Sequence, residues 1–237
     1  MRTKFVATAL FALALTASPI AAHAQVREGG ASSDQRMDRV RTRCLAQIDR
    51  RQRALDAGDT RLDGARALTD AHRAALKQID AQTSDGLSQL ATRIQSDSTV
   101  DQMRTDCRSI VEDYRVFALV RPRARVVAAS DRVAAAVTRL GKVADRLQQA
   151  IDKAKAEGRD TTTASQHLAA MRADTSDAAG HVDGVYDSVI HVTPAEYNAN
   201  HDVLKTAIAN VRAGRSSARD AVSEARQART ALRSPPA

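Results

Sequence analysis

A chain of 237 residues with 43% hydrophobic but only 3% aromatic residues, and no tryptophan, lacks the side chains that fill a wide globular core. Ala, Leu, Val and Ile must pack in narrow seams instead, and the scarcity of glycine (10) and proline (5) favours long helices. The formal charge of +8 is carried almost wholly by arginine, the only lysines being Lys4, Lys77, Lys142, Lys153, Lys155 and Lys205.

At the N-terminus Arg2 and Lys4 precede an apolar run from Phe5 to Ile20 that ends in Ala22-His23-Ala24. The run is shorter than the roughly 20 residues of a spanning helix and is broken by Thr8, Thr16, Ser18 and Pro19, so it predicts a secretory signal peptide (residues 1–24) cleaved after Ala24. Loss of Arg2 and Lys4 leaves a mature charge of +8 − 2 = +6. No later segment is apolar enough to span a bilayer, which predicts a secreted or extracytoplasmic, soluble protein.

Residues 25–33 are Gly/Ser-rich and read as a disordered lead-in. Helix 1 is expected from Asp34, with Met37, Val40, Cys44, Ile48 and Leu55 on one face. Helix 2, capped by Thr69, carries Leu76, Ile79, Leu87, Leu90 and Ile94, and helix 3 carries Met103, Cys107, Ile110, Tyr114 and Phe117 until Pro122 interrupts it. Helix 4 is expected from about Arg123 to Glu157 and helix 5 from Thr162 to Ile190. Thr193-Pro194-Ala195-Glu196 is a capping box with proline at the first helical position, so helix 6 is expected from Pro194 to about Leu232. The pattern predicts an all-α, elongated antiparallel helical bundle or coiled coil of about six helices. It is compatible with two tandem three-helix units, 34–121 and 122–233, or with another arrangement of the same helices, before a disordered tail at 234–237.

Cys44 and Cys107 are the only cysteines, and in an exported chain they predict one disulfide. Were helix 1 to turn at Gly58–Thr60, the two would lie roughly 20 Å apart along the bundle, too far for a bridge. A turn just before Thr69 brings them nearly level and leaves Gly58 and Gly64 inside helix 1, at about 1 kcal/mol each. Two free thiols in a seam are the alternative.

Along helix 6, Lys205, Arg212, Arg219, Arg226 and Arg233 recur every seven residues, with Arg215 and Arg229 beside them, while Ala207, Val211, Gly214, Ala218, Ala221, Ala225 and Ala228 face inward. This ridge fits either a polyanion-binding surface or a face paired with acids elsewhere. A second cluster, Arg115, Arg121, Arg123, Arg125 and Arg132, surrounds Pro122, where pairing with Asp113 and Asp131 is expected. The histidines His72, His167, His181, His191 and His201 show no metal-ligand spacing, and no phosphate loop or nucleophile motif is present, so no catalytic, metal or cofactor residues are assigned and no enzyme is expected.

The stretch from Cys107 to Val120, which contains Asp113-Tyr114-Arg115-Val116-Phe117, with Pro122 and Ala128-Ala129-Ser130-Asp131-Arg132 after it, resembles a signature of uncharacterised secreted helical bacterial proteins. The resemblance spans about Leu68 to Asp152 and implies export and a coiled-coil build, but no activity; Arg121 departs from it where an apolar residue precedes the proline. The expected role is a non-enzymatic scaffold or adaptor of the cell envelope, with an exported holdase chaperone, a polyanion-binding envelope protein and a wall-hydrolase regulator as other readings. Protein partners or an anionic envelope polymer are expected, nucleic acid is disfavoured by the leader and the lack of stacking aromatics, and homo-oligomerisation is left open.

Overall fold

The computed structural model describes residues 32–233, so the leader, nearly all of the lead-in and the tail at 234–237 lie outside the described residues. Among the described residues the chain is helical with no strand. Six long helices, α1 (Ser33–Asp63), α2 (Asp70–Ser96), α3 (Val100–Glu112), α4 (Arg121–Ala156), α5 (Thr162–Val182) and α8 (Lys205–Arg233), are joined by a π-helical turn (Val116–Val120) and two short helices, α6 (Val185–Ile190) and α7 (Pro194–Ala199). The protein is an all-α helical bundle.

Local chemistry sets most boundaries. The hydroxyls of Ser32, Thr69 and Thr99 accept from backbone N–H groups at the starts of α1, α2 and α3, satisfying donors that a helix leaves without partners. Thr193 and Glu196 form the reciprocal capping box of α7. As the cysteine spacing required, α1 runs on through Gly58 to Asp63 before turning.

Three boundaries differ from expectation. Helix 3 does not continue to Pro122: α3 ends at Glu112 and the chain breaks at Asp113–Arg115, where Arg115 takes a left-handed φ of 41°. Leu119 and Val120 then both donate to the Arg115 carbonyl, and this widened turn runs straight into α4. Pro122 lies in the first turn of α4, where its missing N–H costs little, so it starts a helix rather than breaking one. Helix 5 stops at Val182 because Gly184, at φ 64°, turns the chain before α6. Helix 6 is two helices: the Asn200 side chain accepts from Asp202 N, and this turn separates α7 from α8.

α1, α2 and α3 pack around Cys44, Ile48, Leu55, Leu87, Leu90, Ile94 and Ile110, all no more than 5% exposed. α4, α5 and α8 pack around Leu140, Leu147, Ile151, Leu168, Met171, Ala221 and Ala228. A third cluster, with Leu62, Leu76, Leu119, Val127, Val189, Leu204 and Val211, draws on both groups and joins them. The Cys44 and Cys107 sulfurs are within bonding distance and their Cα atoms are 5.6 Å apart, so the pair bridges α1 to α3. Small residues set the closest approach: a Cβ on Gly214 of α8 would lie 3.1 Å from Val182 Cγ1 and 3.2 Å from the Ala178 carbonyl oxygen of α5.

Candidate anion-binding surface

The inward seam of α8 fixes where its arginines go. Ala207, Val211, Gly214, Ala221 and Ala228 are buried, which turns Arg212, Arg215, Arg219, Arg226, Arg229 and Arg233 to solvent. Lys205, at the start of the ridge, reaches Asp202 at 3.4 Å. The other six make no ion pair with any described residue. The two acids of α8 lie on its α5 side: Glu224 meets His167 Nδ1 at 2.7 Å, and Asp220 with Glu224 raises the pKa of Asp174, after burial.

On the ridge side α8 faces α4, and the two helices run parallel. Arg132, Val133 and Ala136 of α4 and Arg215, Ala218 and Arg219 of α8 line an open cleft of about 350 Å³. Arg132 belongs to a row that sequence reasoning overlooked. Arg125, Arg132, Arg139, Arg146 and Lys153 recur every seven residues, which keeps them on one stripe of α4, and all five are exposed. Lys153 alone among them has an acid in reach, Glu157 at 4.0 Å. At this point the cleft has Arg132 on one wall and Arg215 and Arg219 on the other, with Val133, Ala136 and Ala218 between them.

The arginines near Pro122 were expected to pair with Asp113 and Asp131, and they do not. Asp131 is buried and occupied by α2: it accepts from Thr69 N at 2.9 Å and meets His72 Nδ1 at 2.9 Å, while His72 stacks on Tyr186 with ring centroids 3.8 Å apart. Arg115 binds Asn198, Arg121 donates to the Ala54 carbonyl and Arg123 to the Val192 carbonyl. These bonds hold α4 against α1 and the α6–α7 connection. They leave Arg125 and Arg132 without acids, and Arg125 joins the row on α4.

Beneath this junction Asp80 is 4% exposed, and its pKa is pushed up to about 7, chiefly by burial and then by the neighbouring Asp59 carboxyl, with which it shares a hydrogen bond. Such a bond between two carboxyls needs a proton on one of them. Arg121 and Arg123 oppose the shift but do not cancel it.

Among the described residues no three His, Cys, Asp or Glu side chains converge on a metal site, and no helix is long and apolar enough to cross a membrane. The arrangement closest to a catalytic pair, His72 with Asp131, is engaged in tying α2 to α4, and the neighbouring Ser130 hydroxyl donates to the Val182 carbonyl at 3.4 Å. Comparison with protein-family models, curated proteins and solved structures finds no match to this chain. The bundle, its disulfide and its charge distribution therefore carry the functional reading.

Proposed function

We propose that this chain is a non-enzymatic, exported protein of the cell envelope, a coiled-coil scaffold that holds an anionic polymer along the cleft between α4 and α8. The observation that carries the reading is charge segregation. Arg132 of the exposed α4 row and Arg215 and Arg219 of the exposed α8 ridge line one cleft, while the acids of α8 lie on its far side, against α5. Like charges placed together weaken the folded state unless a counter-charge arrives, and a linear polyanion supplies one along the whole cleft. Export is supported by the leader-like N-terminus and by the Cys44–Cys107 bridge, which suits an oxidising compartment. A holdase would be favoured by apolar stripes open on α5 or at the helix tips; on α5 Leu168 and Met171 are 2% and 0% exposed, while Val100 at the start of α3 and Val111 near its end are open at 39% and 40% but lie at opposite ends of that helix.

The test is retention of the mature chain on immobilised polyphosphate across a salt gradient. Retention falls steeply with salt. If each exposed contact contributes about 0.5 kcal/mol, changing Arg132, Arg139, Arg146, Arg212, Arg219 and Arg226 to Gln removes about 3 kcal/mol, more than a hundredfold in affinity. Retention unchanged in that variant would remove the cleft from consideration.

A further inference from the structure

A separate cavity of about 180 Å³ lies at the junction of the two helix groups, between the end of α1, the middle of α2 and the start of α4. Four guanidinium-bearing residues line it, Arg61 from α1 and Arg121, Arg125 and Arg132 from α4. None of the four makes an ion pair with a described residue. One wall is apolar, from Leu62, Ala65, Ala124 and Ala128. Gly58 makes the space for the convergence: a Cβ there would lie 2.9 Å from Arg121 Nη1 and 3.1 Å from Asp80 Oδ2.

We propose that this cavity is a binding site for a phosphate monoester, with Arg61, Arg121 and Arg125 gripping the phosphate oxygens and the apolar wall taking the adjoining carbon chain.

Guanidinium forks match the several oxygens of a tetrahedral anion better than a single ammonium does. Arg121 is already oriented, because one arm of its guanidinium donates to the Ala54 carbonyl. The cations crowd one another: burial, then the charges of Arg61 and Arg125, lower the pKa of Arg121. Asp80, the one acid lining the cavity, shares a hydrogen bond with Asp59 and titrates near neutrality, so it does not balance four positive charges. A dianion does so better than a monoanion, which selects a phosphate ester over a carboxylate. Only Arg125 and Arg132 are shared with the α4 row, so the site does not depend on the polymer reading. Phosphate esters reach an exported protein as soluble phosphorylated metabolites or as lipid headgroups, and the chemistry of the grip is the same for both.

The test is calorimetric titration of the mature chain with glycerol 3-phosphate, in chloride buffer of matched ionic strength, followed by co-sedimentation with phosphatidic acid and with phosphatidylcholine vesicles. One saturable site is expected, weakened more than tenfold by Arg61→Gln and again by Arg125→Gln, both exposed positions whose loss leaves the thermal midpoint unchanged. Arg219→Gln with Arg226→Gln, on the α8 ridge, leaves the titration unaltered while reducing polyphosphate retention. Sedimentation with phosphatidic acid vesicles that Arg61→Gln abolishes assigns the headgroup as the source, whereas binding of the soluble ester without sedimentation assigns a free metabolite. Absence of saturable binding above the chloride control, or titrations of Arg61→Gln identical to wild type, overturns the proposal.

Discussion

Asp80→Asn isolates the cost of a buried carboxyl. The folded protein holds this group near neutral, with a pKa of about 7 against the model-compound value of 3.8 that the unfolded chain approaches. Between those limits the folded state binds more protons than the unfolded one, so the stability this group contributes is complete below about pH 4 and is lost as pH rises through 7. A shift of that size corresponds to about 4 kcal/mol at most, and water reaching the cavity beside Asp80 screens it to about 2 kcal/mol. Asparagine keeps the shape and offers Asp59 an N–H in place of the shared proton, without a charge that titrates. Urea unfolding at pH 4 should give similar stabilities for wild type and variant, and at pH 8.5 the variant should be the more stable by about 2 kcal/mol. A difference that stays constant from pH 4 to 8.5 would refute the assignment of a near-neutral Asp80.

Three further perturbations probe the frame around the two sites. Reduction, or Cys44→Ser with Cys107→Ser, opens a loop of 63 residues and should cost up to about 4 kcal/mol, lowering the thermal midpoint by about 10 °C in a calorimetric scan. Gly86→Ala would gain up to about 1 kcal/mol in an open helix, but its Cβ would lie 2.6 Å from Tyr114 Cε1. A net loss of about 1–2 kcal/mol is expected in urea unfolding, and introducing the same change together with Tyr114→Ala should remove that loss in a double-mutant cycle. Asp131→Ala strips partners from the Thr69 N–H and from His72, and should cost about 2–3 kcal/mol, with faster hydrogen exchange at the start of α2.

The parts of this fold that could be read from sequence are those written in short-range chemistry. Thr69 and Thr193 each announce a helix start because a side-chain oxygen must meet a specific backbone donor. The turn before Thr69 followed from one covalent distance, since no earlier turn lets Cys44 reach Cys107. Pro122 misled for a physical reason: proline stops a helix that precedes it but suits the first turn of one that follows, and the break at Arg115 uses a left-handed residue that carries no glycine signal. Asn200 and Asp202 did signal the second missed turn, but the helical spacing of the residues around them concealed it. Of the candidate surface, the α8 ridge was visible because its arginines share a heptad position. The matching row on α4 has the same spacing, yet Arg125 and Arg132 had been matched to acids by proximity in sequence. Only the packing of Asp131 against His72 and Thr69 releases them. The cavity at Arg61 joins side chains 60 residues apart in the chain and has no local signature.

The bond between Cys44 and Cys107 also bears on how the molecule would behave under tension. A pull applied at the two termini passes across the sulfurs and bypasses the 63 intervening peptide links, so about 210 Å of slack stays locked until the bridge is reduced. The second half of α1, α2 and the first half of α3 would then ride as an unloaded side arm. In a single-molecule extension experiment the contour released should lengthen by that amount once a reductant is added, making the redox state of the surroundings a setting for how far this protein can give.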